Sequence, residues 1–181
     1  MAAIAVERLT KFAGNDLHDL CDAAEDGIRA GGGFGWLKPP PRHIMEAYWR
    51  GVLLVPDREL CVGRLDGTVA GSAQLVRPPR NNEAQAHAAT LTTNFVAPWA
   101  RGHGLARLLT ITVEDAARVA GFKILNLDVR ESQEAAIALY ESLGFVCWGR
   151  HPRYAMVEGK PVVGLFYVKD LDGGDDTGQG A

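Results

Sequence analysis

The chain has 181 residues, 47% hydrophobic and 23% charged, proportions that fit one globular domain with a real core and exclude global disorder. Its 19 Lys and Arg against 22 Asp and Glu leave a net charge of −3, which argues against a general binder of nucleic-acid phosphate. No stretch approaches the roughly 18 apolar residues of a membrane span, and Met1–Glu7 meets a charge too early for a signal peptide. Residues 3–9 predict a first strand. Leu17, Leu20, Cys21, Ala24 and Ile28 repeat at helical spacing and predict a helix over 15–29. A loop over 31–41 follows, holding Phe34, Trp36 and three prolines. Ile44, Met45, Tyr48, Trp49 and Val52 form the apolar stripe of a helix over 42–54. Leu60–Leu65 and Val69–Val76 read as strands joined at Asp66-Gly67, a strong hairpin dipeptide. A polar turn over 77–84 leads to a Thr-rich strand over 85–96. A helix is predicted over 104–120, a strand over 122–130, and a helix over 133–143 with Ser132 as N-cap and Gly144 just past its end. A hairpin over 145–157 and 161–169 closes around Glu158-Gly159. Residues 1–170 are expected to be one domain, and the Gly- and Asp-rich residues 171–181 a disordered tail. Hairpins beside one strand–helix–strand crossover imply an α/β (α+β) class with a mostly antiparallel sheet.

Cys21, Cys61 and Cys147 lie far apart, with no CxxC or Cys/His spacing for a metal. They are expected to be small buried hydrophobes in a reducing, cytoplasmic setting, and no metal is expected.

The segment carrying the most chemical information runs Val96-Ala97-Pro98-Trp99-Ala100-Arg101-Gly102-His103-Gly104-Leu105-Ala106. A strand ends, a short glycine-containing loop follows, and a helix begins. First-turn amides lack intrahelical acceptors, and the helix dipole adds partial positive charge there. Gly102 and Gly104 keep side chains away, and Arg101 and Arg107 add charge, so a diphosphate could reach the backbone. Taken alone, the loop reads equally well as a simple turn. It is neither GxGxxG nor a Walker loop.

A second motif, Ala136-Ile137-Ala138-Leu139-Tyr140-Glu141-Ser142-Leu143-Gly144-Phe145, follows the next strand. In this order and at this separation the two resemble the GNAT superfamily of acyl-CoA-dependent N-acetyltransferases. The family loop Arg/Gln-x-x-Gly-x-Gly/Ala is matched by Arg101, Gly104 and Ala106. The resemblance implies a GNAT-type mixed, mostly antiparallel sheet of about six to seven strands with about four helices. It implies acetyl-CoA as cosubstrate and an amine-bearing acceptor, either a small molecule or a polypeptide, with neither nucleic acid nor membrane as partner. A homodimer is left open.

Carried over residue by residue, backbone groups of Asn94, Phe95 and Val96 would pair with the pantetheine arm and polarise the thioester carbonyl. Loop groups of Arg101, Gly102, His103, Gly104, Leu105, Ala106 and Arg107 would hold the pyrophosphate. Gln133 stands where the family often has a cofactor-contacting Asn; the alternative is a solvated first-turn side chain. Tyr140 would be the general acid for the departing thiolate, against the alternative of a packed core tyrosine. The stretch Leu127-Asp128-Val129-Arg130-Glu131-Ser132-Gln133 resembles Leu-Glu-Val-Arg-x-Ser-Asn of enzymes that acetylate ribosomal-protein N termini, where the Glu is the base. Asp128 would take that role, directly or through water; alternatively it pairs with Arg130 or caps a turn. His43 and Glu46, with Phe34, Trp36, Tyr48 and Trp49, are candidates to border the acceptor pocket, the aromatics reading equally as core. The expected reaction is direct attack of an amine through a tetrahedral intermediate. The competing expectations are a non-catalytic acyl-CoA-binding sensor or partner module and a generic phosphate-ligand protein.

Overall fold

The two hairpin dipeptides do what their residue types favour. Asp66 and Gly67 have φ of 49° and 88°, and Glu158 and Gly159 have 50° and 75°, the paired positive angles of tight hairpin turns. Residues 2–32 and 34–173 are described by the computed structural model. Its elements in chain order are β1 (Ile4–Leu9), α1 (Asp16–Arg29), α2 (Arg42–Leu54), β2 (Arg58–Leu65), β3 (Thr68–Val76), β4 (Ala88–Val96), α3 (Leu105–Val119), β5 (Ile124–Arg130), α4 (Glu134–Ser142), β6 (Val146–Val157) and β7 (Lys160–Asp170). One seven-stranded sheet runs in the order β1-β2-β3-β4-β5-β7-β6. Every neighbouring pair is antiparallel except β4 with β5. The α/β class, the sheet and the four helices are thus as expected.

Alternation along the strands divides the core between the two faces. Leu60, Val62 and Val69 pack under α1 and α2 with Leu20, Met45 and Trp49, while Cys61, Ala70 and Ala73 pack with Leu105, Leu109 and Val113 of α3. Each such fully buried aliphatic side chain contributes about 1.5–3 kcal/mol.

Two features of β4 prepare the site. First, β4 pairs with β5 only from Ala88 to Thr90, opposite Ile124 to Asn126; beyond that the parallel strands diverge and leave a gap. Second, the register with β3 slips between Ser72 and Gln74, and Thr93 takes a φ of 50°, which marks a β-bulge. One extra residue reverses the alternation. Ala89 and Leu91 face α3, but past the bulge Phe95 joins the α1–α2 side and Val96 the α3 side.

Several local expectations need correction. Ile44 is exposed, because the buried stripe of α2 centres on Met45, Trp49 and Val52. Cys147 is exposed on the edge strand β6, whereas Cys21 and Cys61 are buried with their thiols pushed up to about 11 by desolvation. β4 starts at Ala88, since Glu83–Gln85 form a 3-10 turn. Gln133, not Ser132, holds the N-cap position of α4, without a side-chain cap bond. Gly144 does end that helix, with a φ of 86°. Leu171 is buried in the core, and its N–H donates to the Lys123 carbonyl. The expected tail lies, from residue 174 on, outside the described residues. No helix among the described residues is long and apolar enough to cross a membrane.

Candidate active site

The loop after β4 is built by a 3-10 turn and two left-handed glycines. Pro98–Ala100 turn the chain with proline at the start, and Gly102 and Gly104 each have a φ of 82°. Leu105 then anchors α3. It is buried against β2, where a Cβ on Gly63 would come within 2.8 Å of its side chain. The first bond into the helix runs from the Leu108 N–H to the Gly104 carbonyl at 3.1 Å. Among the described residues, the N–H groups of Gly102, His103, Gly104, Leu105, Ala106 and Arg107 have no protein acceptor. Six free donors at the positive end of a 15-residue helix fit a diphosphate.

Three side chains of this loop bond within the protein. Arg101 is exposed, with its Nε donating to the Val96 carbonyl at 3.3 Å. Arg107 donates to the Ser142 hydroxyl at 2.7 Å and so ties α3 to α4. The His103 ring does not reach the cleft. Its Nδ1 lies 3.0 Å from the Arg101 carbonyl, an acceptor only, so that nitrogen carries the proton and braces the loop.

Beside the loop lies a cleft of about 670 Å³. Gly27, Ala30 and Gly32 wall it on one side, and β4, α3 and α4 on the others. A methyl group at Gly104 would meet no atom within 4 Å and would project into open space. Gly104→Ala is expected to cost about 1 kcal/mol of stability from the positive φ. Disturbing one charge-assisted amide contact is expected to weaken coenzyme A binding at least roughly tenfold. Thermal melting and titration calorimetry check the two effects.

A second cavity, of about 470 Å³, opens on the other side of the β4–β5 gap. Asn94, Gln133, Ala136 and Tyr140 line both spaces. Tyr140 is 6% exposed, and burial is the main cause pushing its phenol up to about 12. Its oxygen accepts from Asn94 Nδ2 at 3.3 Å, and the same amide donates to Thr110 Oγ1 at 2.9 Å. Thr110 in turn donates to the Ala106 carbonyl at 2.8 Å. Tyr140 is therefore a neutral phenol whose own proton has no acceptor among the described residues. Asn94 Oδ1, also buried, has no partner among them. The bulge in β4 turns Asn94 toward α3 and α4 and so makes this cluster.

Asp128 lies on the exposed face of β5 with Asn126 and Arg130, while Leu125, Leu127 and Val129 are buried. It does not pair with Arg130, which instead donates to the Phe34 carbonyl at 2.6 Å. The Asp128 carboxylate accepts from the Tyr154 hydroxyl of β6. Burial, then that bond and the carboxylate's charge, raise the Tyr154 phenol well above the usual range. The ring lies across Gly164 of β7, where a Cβ would overlap it. Sequence reading missed Tyr154, since only the pairing of β5 and β6 to either side of β7 brings it to Asp128. Gln133 donates to the Gly31 carbonyl at 2.8 Å while lining both cavities.

Of the remaining pocket candidates, Phe34, Trp36 and Tyr48 line the second cavity. Trp49 is fully buried, 4.9 Å from the Tyr48 ring, and belongs to the core. His43 is exposed and Glu46 pairs with Arg42 and Arg50, so neither borders the cavity: both sit on the outer side of α2. No cluster of metal-binding side chains occurs among the described residues.

Comparison with known proteins identifies the family and the fold. Residues 18–145 match the model of the acetyltransferase (GNAT) family. The chain is 69% identical over 133 residues to an uncharacterized N-acetyltransferase from the hisH–hisA intergenic region of Azospirillum brasilense, covering 74% of this chain and 79% of that one. It is 32% identical over 125 residues to the N-alpha-acetyltransferase RimI of Mycobacterium tuberculosis, covering 69% and 73%. In fold it is similar to yncA of Salmonella typhimurium, a putative acetyltransferase solved with acetyl-CoA, at a TM-score of 0.75 and 20% identity over 96% of each chain.

Proposed function

Because this chain belongs to the GNAT family of acetyltransferases, we propose that it moves the acetyl group of acetyl-CoA to a primary amine by direct attack through a tetrahedral intermediate. Tyr140 is the general acid in this reading. The observation that carries it is the Tyr140 hydroxyl, held neutral and facing the junction of two cavities. Acetyl-CoA, when bound, supplies an acetyl thioester, which is reactive toward a neutral amine.

The chain's own groups do the rest. The amides of Gly102 to Arg107 bind the diphosphate. The edge of β4 that β5 leaves free beyond Thr90 holds the pantetheine arm through Asn94, Phe95 and Val96, with backbone N–H there polarising the carbonyl. Holding thioester and amine on opposite sides of Tyr140 supplies orientation. Asn94 donates to the phenol oxygen, which leaves the phenolic proton free for the departing thiolate. Collapse of the tetrahedral intermediate breaks the C–S bond: the sulfur takes the Tyr140 proton, the attacking nitrogen gives one up, and the phenolate, a stronger base than the thiolate, is reprotonated at once.

Asp128 takes the proton of the incoming ammonium, directly or through water, and Tyr154 fixes the carboxylate's orientation. Asp128→Asn keeps the shape and removes the basicity. It is expected to lower kcat roughly 100-fold at neutral pH, with partial recovery as rising pH deprotonates the amine itself. Thiol release from acetyl-CoA, followed against pH with an amine panel, checks this. Coenzyme A binding without thiol release on any amine would refute the transferase assignment.

A further inference from the structure

The second cavity presents charge of both signs, and neither is neutralised by the protein. Asp128 and Arg130 stand two residues apart on one face of β5, about 7 Å from Cα to Cα, and both line the cavity. Asp128 is bonded to a neutral group, the Tyr154 hydroxyl. Arg130 is half-buried and forms no ion pair among the described residues; one Nη donates to the Phe34 carbonyl. A guanidinium has five N–H donors, so this bond leaves most of its donors and all of its charge unanswered. Partly desolvated charge without a counter-ion is unfavourable, and a ligand anion would relieve it.

The geometry points to a small zwitterionic acceptor. Resting on the transferase reading above, we propose that the acceptor is an α-amino-acid-like molecule. Its amine lies toward Asp128 and Tyr140, its carboxylate pairs with Arg130, and an apolar side chain lies against Phe34, Trp36 and Tyr48. In this reading the Arg130 guanidinium and the Asp128 carboxylate meet the two charged groups of one ligand, which a single carbon separates. A polyamine or a lysine in a basic peptide would bring a second cation toward Arg130 and be repelled. A peptide N terminus would bring its amine but no anion. The volume of about 470 Å³ falls in the lower part of the usual range for small-molecule sites, roughly 300–1,000 Å³.

Titration calorimetry of the full chain loaded with coenzyme A tests this at about pH 6.5, where the amines are cationic. The probes are leucine, phenylalanine and tryptophan, their carboxamides, and spermidine. At least one free amino acid is expected to bind roughly 10- to 100-fold more tightly than its carboxamide. In Arg130→Gln that ratio is expected to fall toward 1, and in Arg130→Lys to be largely kept. Three results would overturn the proposal: equal binding of acid and carboxamide, tighter binding of spermidine, or an Arg130→Gln variant that weakens both partners equally, as a mere latch on Phe34 would. Thiol release measured alongside separates the two readings. Acid-selective binding without thiol release from acetyl-CoA on any amine of the panel supports the zwitterion site and overturns the transferase reading; turnover without acid preference does the reverse.

Discussion

Tyr140→Phe is expected to lower kcat by roughly 10²- to 10⁴-fold, the usual worth of a positioned general acid, with coenzyme A affinity nearly unchanged. The variant should fold. The ring keeps its edge-on packing with Phe145, centroids 5.8 Å apart. Asn94 keeps its shorter bond to Thr110 at 2.9 Å when the 3.3 Å bond to Tyr140 is lost. The cost in stability is therefore about 1 kcal/mol. Steady-state kinetics with separate kcat and KM, alongside calorimetry of coenzyme A, distinguish a lost proton donor from a disturbed cleft. Unchanged kcat would remove Tyr140 from the chemistry.

The same residue makes a pH prediction. Burial raises the Tyr140 phenol from the ordinary 10.0 to about 12. The folded protein thus holds its proton where the unfolded chain releases it. That contribution to stability is fully present below about pH 10 and is lost as pH rises through about 12. Desolvation, and then its bond to Glu141, also raises Tyr167 to about 12, and Tyr154 shifts the same way. Alkaline unfolding should therefore become less steep in Tyr140→Phe without disappearing, as denaturant titrations at a series of pH values would show. Over the neutral range Tyr140 stays a proton donor, so its ionisation should not shape the rate profile there.

Gly71→Ala is expected to destabilise the fold by about 3 kcal/mol or more. An added Cβ would come within 2.2 Å of the Phe95 carbonyl oxygen and 3.0 Å of Val96 Cα. Both are backbone atoms, so no side-chain rotation relieves the overlap. Gly71 pairs with Val96 just past the bulge, so the strain falls on the segment that orients Asn94. A urea titration should show the loss, and the folded fraction should bind coenzyme A more weakly. Gly51 in α2 has open space around its missing Cβ. As a control, Gly51→Ala should gain about 0.5–1 kcal/mol from helix preference.

Much of this site was legible before any coordinates. The loop proposed to hold the diphosphate is local: Gly102, Gly104 and the helix start adjoin in sequence, and free first-turn amides follow from helix geometry alone. Helical spacing puts Tyr140 on the apolar face of α4 and strand alternation puts Asp128 on the open face of β5, while the roles proposed for both come from the resemblance to the family. The errors were also physical. Ser132 resembles an N-cap, yet the turn after β5 places Gln133 there. His43 and Glu46 sit on the right helix but on its outer side, because Met45 and Trp49 claim the inner one.

What the chain determined by itself was its elements and their punctuation, because periodicity, glycine conformations and helix ends depend on neighbours a few residues apart. Which side chains meet was decided only by the tertiary structure. Arg130 reaches Phe34 across 96 residues, Gln133 reaches Gly31 across 102, and Tyr154 reaches Asp128 across 26. The single-residue slip that turns Asn94 toward Tyr140 exists only once β3 and β4 have paired. Strand register and bulges arise from long-range pairing, and a shift of one residue exchanges the two faces of a strand.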